Sequence, residues 1–153
     1  MAKNSAPPPP GDDAAPAVPR PAGQAHKTER QAEVILVVDD DAAVRATTIM
    51  QLERLGYAVR DADGAVTALQ IIESTARIDL LLTDVNMPDM NGKELAIQAR
   101  LRRPDVATLF TSGFPNGPHG SPIAFDADDV LLAKPYRRHE LARMVRKMLG
   151  RRR

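Results

Sequence analysis

Cysteine is absent from all 153 residues, which excludes disulfides, thiolate metal centres and a cysteine nucleophile. Tryptophan is absent as well, and aromatic residues make up only 3% of the chain. So few rings argue against a binder that stacks successive bases, and they require a core of Val, Ile, Leu, Met and Ala. No apolar run approaches the roughly 20 residues of a membrane span, and the start, Met1 to Pro7, lacks the apolar stretch of a secretory signal. These absences predict a cytoplasmic protein. Net charge is also nearly missing, at +1, but it is unevenly spread: +1 over residues 1–31, −7 over 32–136 and +7 over 137–153. An acidic body with a basic carboxyl end needs explaining, and the total explains nothing.

What is present divides the chain into a tail and one domain. Seven of the thirteen prolines, Pro7 to Pro10 among them, precede residue 32 in a stretch without apolar periodicity. That composition predicts a disordered or partly polyproline II tail over 1–31, a domain over 32–150, and a basic end at 151–153. Within the domain, apolar runs predict strands at Val34–Val38, Tyr57–Val59, Ile78–Leu82, Val106–Phe110 and Val130–Ala133. Helical spacing predicts a helix capped by Asp41 and ending at Gly56, a second after Gly64, a third from Gly92 to before Pro104, and a last one over about 138–149. Strands alternating with helices imply an α/β fold: a doubly wound, five-stranded parallel sheet covered on both faces. One helix slot is damaged. Gly113, Pro115, Gly117, Pro118, Gly120 and Pro122 cannot propagate a helix, so the fourth helix of the alternation is expected to be short or replaced by a loop.

Chemistry should gather at the carboxyl ends of the strands, where open α/β sheets place it. Asp39 and Asp40 follow the first apolar run, Asp84 stops the third, Thr111-Ser112-Gly113 follows the fourth, and Lys134-Pro135 follows the fifth. Carboxylates about 4 Å apart repel by about 4 kcal/mol per pair at an effective dielectric near 20. They must hold a proton or recruit a cation, and an all-oxygen set with few protein ligands favours Mg²⁺ over Ca²⁺. A divalent ion beside a nucleophilic carboxylate, a lysine and a hydroxyl suits phosphoryl transfer, with Asp84 as acceptor. Asp41 has the simpler role of helix cap. His26, His119 and His139 have no carboxylate spacing that suggests a ligand set.

Four motifs in order, Ile35 to Asp41, Leu82 to Gly92, Phe110 to Phe114 and Leu132 to Tyr136, resemble the receiver domain of two-component response regulators, the CheY-like family. The resemblance covers about residues 32–150 and implies a flavodoxin-like receiver fold. It implies that Asp84 accepts a phosphoryl group from a sensor histidine kinase or a phosphotransfer protein. Asp40 and Asp84, the Asn86 backbone carbonyl and an assisting Asp39 would hold Mg²⁺. Ser112 would be the switch hydroxyl, Lys134 would pair with the phosphoryl oxygens, and the bond before Pro135 would be cis. The sequence departs from the family at Leu131, where an aromatic residue is common. Too little chain follows Leu149 for a DNA-binding domain, so the expectation is a stand-alone receiver signalling to a downstream protein. Self-phosphorylation and autodephosphorylation would then be its only catalysis.

Two other readings compete. A small Mg²⁺-dependent phosphohydrolase also uses a strand-end Asp nucleophile, but that family resembles Asp-X-Asp, and here the second position is Asn86. A degenerate receiver acting only as a binding module is opposed by the intact set of Asp40, Asp84, Ser112 and Lys134.

Overall fold

The computed structural model describes residues 31–74, 77–113 and 124–152, and the account below concerns the compact unit that begins at Ala32. Its elements are β1 (Val34–Val38), α1 (Ala42–Arg54), β2 (Ala58–Ala62), α2 (Ala65–Ser74), β3 (Leu80–Asp84), α3 (Gly92–Arg102), β4 (Ala107–Ser112), β5 (Leu131–Ala133) and α4 (Arg138–Gly150). The strands form one parallel sheet in the order β2-β1-β3-β4-β5. That is the flavodoxin-like order, and the chain changes winding direction between β1 and β3.

Side chains along a strand alternate between faces, and the central strands are apolar on both. One layer joins Leu36, Val38 and Leu81 to Ala65, Ala68 and Ile72 of α2 and Leu95 and Ala99 of α3. The opposite layer joins Ile35, Val37, Leu80, Leu82 and Leu109 to Leu52 of α1 and to Leu141, Val145 and Met148 of α4. Doubly wound packing therefore follows from continuous apolar runs, which a half-exposed sheet could not bury. One aromatic does enter the core: Phe110 is fully buried, beside Val85 and Ala96.

Strand limits differ from the sequence reading. β3 and β4 run two residues further, because Thr83 pairs with Phe110 and Asp84 with Thr111. β2 is longer than its three-residue apolar signal, extending through Arg60, Asp61 and Ala62 along β1. It is the sheet edge and mostly exposed, so its far half carries no hydrophobic pattern. In the damaged helix slot, Ala124–Val130 contains no helix. The expected loop over 114–122 and the expected tail over 1–30 lie outside the described residues, and four helices are present among the described ones.

At the amino ends of the strands, Asp79 joins three elements, an arrangement without a sequence signature. Its carboxylate, 6% exposed, pairs with Arg77 at 2.9 Å and with Arg152 at 2.5 Å and accepts the Val34 N–H at 2.8 Å. Burial alone would raise its pKa, but the hydrogen bonds from Val34, Arg152 and Arg77 prevail and hold it below the ordinary value. A depressed folded pKa contributes stability above the unfolded pKa, and that stability is lost as pH falls through the folded one. Asp79→Ala is therefore expected to cost about 2 kcal/mol at pH 7. Denaturant melts should show the gap from wild type closing in acid, below the ordinary carboxylate range.

Candidate functional site

The carboxyl ends of β1, β3, β4 and β5 meet as the register requires, with Asp84 opposite Thr111 and Ser112 opposite Ala133. Asp84, the last residue of β3, is 8% exposed, and Asp39, just after β1, is 4% exposed. Asp40 faces solvent, and each of the three carboxylates offers an oxygen within 4.8 Å of the others. Lys134, one residue beyond β5, donates to Asp39 Oδ2 at 2.7 Å and lies 3.3 Å from Asp84 Oδ2. The Asn86 N–H donates to Asp84 Oδ1 at 3.3 Å, and its side-chain Nδ2 donates to Ser112 Oγ at 3.1 Å. Every site residue named from the sequence thus falls in one cluster.

Local chemistry explains why these groups hold still. Asp41 caps α1, its carboxylate accepting from Ala43 and Val44 N–H at 2.9 and 3.1 Å. Asp39 Oδ1 accepts the Asp41 N–H at 2.9 Å, which ties the acidic pair to that cap. Asn91 and Glu94 form a capping box that starts α3. Gly92 then packs so closely on the end of β3 that an added Cβ would lie 2.2 Å from the Asp84 carbonyl oxygen. The Lys134-Pro135 bond is cis.

The charges do not balance: one ammonium stands among three carboxylates. Burial pushes the Asp84 carboxyl above its ordinary value; the Lys134 charge opposes this, and Asp39 adds to it. Burial works against the Lys134 ammonium, yet the hydrogen bond to Asp39 and the charges of Asp84 and Asp39 outweigh it, so its pKa is raised. The set fits a hard divalent cation on chemical grounds. All its donors are oxygens, two charges are uncompensated, and Asp40 is open to water.

Several neighbours gave no sequence signal. Arg45, on α1, donates to the Asp39 carbonyl at 2.7 Å and to Asp61 at 3.1 Å. The Tyr136 hydroxyl shares a 2.7 Å hydrogen bond with Thr48, closing one side of an apolar groove of about 430 Å³ between α1 and Lys134-Pro135-Tyr136. Lys93, directly after Gly92, pairs with Asp126 and Asp129 and so ties the connector before β5 to α3. Phe125 of that connector meets Phe110 edge-on at 5.6 Å. Leu131, where the family often has an aromatic, packs in the same cluster.

A parallel sheet in this strand order, with an acidic cluster, a hydroxyl and a lysine at its carboxyl edge, defines a class of doubly wound, flavodoxin-like α/β domains. The response regulator receiver domain family matches residues 35–146, and the chain belongs to that family. Over 116 residues it is 34% identical to the sensor kinase CckA of Brucella abortus, covering 75% of this chain but only 12% of that protein. Over 115 residues it is 33% identical to the response regulator receiver protein CpdR of the same organism, covering 75% of this chain and 95% of CpdR. Among solved structures, a CheY-like receiver domain protein from Methanospirillum hungatei superposes with a TM-score of 0.66 at 28% identity, over 79% of this chain and 96% of that one. The chain is thus a receiver domain of two-component signalling. Among the described residues no helix is long and apolar enough to cross a membrane.

Proposed function

We propose that this chain is a phosphorylatable switch. Asp84 accepts a phosphoryl group from a phosphohistidine of a sensor histidine kinase or phosphotransfer protein, and the change is read through protein contacts. The observation that carries this reading is the Asp84 carboxylate, almost buried at a strand end with Lys134 Nζ 3.3 Å away and two further carboxylates beside it.

In the transfer, an Asp84 oxygen forms the new P–O bond as the P–N bond to imidazole breaks. The imidazole nitrogen keeps the electron pair and takes up a proton. Lys134 offsets charge on the phosphoryl oxygens, and the Ser112 hydroxyl donates to one of them once it turns. Asp39, Asp40, Asp84 and the Asn86 carbonyl would hold Mg²⁺, which neutralises charge on the transferring group. The apolar groove beside Lys134 offers the donor protein ground next to the acceptor. Residues 32–150 act as the receiver, with 1–31 as a tail and 151–153 as a basic end, in the cytoplasm.

The metal set has its own test. Asp40 is exposed and outside the core, so Asp40→Ala should fold normally. It should weaken Mg²⁺ binding by at least the roughly tenfold that losing even an outer-shell partner costs, and slow labelling by acetyl phosphate at limiting Mg²⁺. Equal Mg²⁺ affinity of variant and wild type in calorimetry would remove Asp40 from the metal set.

A further inference from the structure

Nothing in the acidic site accounts for the basic carboxyl end of the chain. Arg151 and Arg152, which follow α4, come to the opposite edge of the sheet, where β3 and β4 begin. Two adjoining recesses of about 410 and 540 Å³ lie there, sharing Pro104, Asp105 and Arg152. Arg77, before β3, and Arg102 and Arg103, at the end of α3, line the first, and Arg151 lines the second. Five arginines thus meet three carboxylates, Asp79 and Asp105 in the lining and Glu73 paired with Arg102, which leaves two positive charges over. Cations suit the carboxyl end of a helix, and this explains Arg102 and Arg151 one by one. It does not explain five guanidinium groups gathered round one recess, where like charges repel unless an anion sits among them.

We propose that the recess at the amino ends of β3 and β4 is a binding site for a small phosphate-rich anion, of the kind presented by inorganic pyrophosphate or by the diphosphate of a nucleotide. A guanidinium fork matches two phosphate oxygens at once, and the cations of the lining are all arginine. Arg77 and Arg152 share Asp79, Arg152 also donates to the Asp105 carbonyl at 2.7 Å, and Arg102 donates to Glu73 and Gln98. These bonds do not exhaust the five donors of each group. Ile78 and Val106, 4% and 6% exposed, also line the recess, and a wall from the core lowers the local dielectric and strengthens charge pairing. The volume is that of a small-molecule site. Among the described residues no aromatic ring lines it, so the phosphates and not a base are what it reads. The site shares no residue with the Asp84 cluster and does not rest on the acceptor reading.

Calorimetry of the full chain with inorganic pyrophosphate tests this, in chelator and about 0.15 M salt, where charges more than about 8 Å apart are screened. Without metal, the carboxylates around Asp84 repel the probe. One pyrophosphate should bind per chain, and Arg102→Gln and Arg151→Gln should each weaken it about tenfold, as loss of one charge-assisted hydrogen bond implies. Both side chains are exposed, so both variants should fold, since a surface ion pair contributes little. Arg143→Gln, on the exposed side of α4 and outside the recess, should bind as wild type does. Competition by ADP would support the site as one for a nucleotide diphosphate, and failure of ADP to compete would support it as one for the free anion. No binding of pyrophosphate by the wild type would overturn the proposal. Equal weakening by Arg143→Gln, or displacement of pyrophosphate by an equal concentration of hexaglutamate, would overturn it as well, because either result reduces the recess to general positive charge.

Discussion

Asp84→Asn is expected to take up no phosphoryl label under conditions that saturate the wild type, and to melt at an equal or higher temperature. The amide keeps the size and the backbone contacts of the carboxylate but is not the nucleophile that an acyl phosphate needs. The stability gain follows from the direction of the Asp84 pKa. Burial, opposed by Lys134 and reinforced by Asp39, raises it, so the folded protein as a whole disfavours the charged form. A raised carboxyl pKa means that ionised Asp84 costs stability at neutral pH, and that this cost is relieved as pH falls through the folded value. The variant should therefore show its advantage at neutral pH and lose it in acid. Loss of label together with a large fall in melting temperature would mean that Asp84 is a structural residue.

The second large effect is expected at Gly92→Ala. The new Cβ would stand 2.2 Å from the Asp84 carbonyl oxygen and 3.0 Å from the Val85 Cα. Both are backbone atoms at the end of β3, so neither can move aside cheaply. To relieve the overlap, the start of α3 must retreat, which stretches the 2.9 Å hydrogen bond from the Gly92 N–H to the Val85 carbonyl. Overpacking of this kind costs about 3 kcal/mol, equivalent to a fall of roughly 10 °C in a domain of this size. Labelling should slow as well, because the displaced backbone carries the acceptor. Gly64→Ala is the control: nothing lies within 4 Å of its added Cβ, and its melting temperature should stay close to that of wild type. Equal melting temperatures for the two variants would contradict the close approach at Gly92.

The parts of the structure legible in the sequence are those fixed by neighbours along the chain. Val34 to Val38 is uniformly apolar because β1 is covered on both faces, and Asp41 reads as a cap because the N–H groups it satisfies are two and three residues away. The convergence of Asp39, Asp84, Ser112 and Lys134 was legible for the same reason, since each terminates an apolar run and parallel strands end on one edge. The limits of β2 were not, because an exposed edge strand is held by backbone pairing with β1 and needs no apolar side chains. Contacts between distant residues left no local trace. Asp79 meets Val34 and Arg152 across 45 and 73 positions, Lys93 meets Asp126 across 33, and the Asn86 amide meets Ser112 across 26. Each of these residues is an ordinary polar side chain until the fold supplies its partner.

The most direct measurement is to incubate the wild-type protein with Mg²⁺ and acetyl phosphate and locate the label by peptide mass spectrometry. The expected result is one hydroxylamine-sensitive phosphoryl group per chain, on the peptide that contains Asp84, absent when the metal is chelated. A label on any other residue, or none at all on folded protein with Mg²⁺ present, would contradict the assignment of Asp84 as the phosphoryl acceptor.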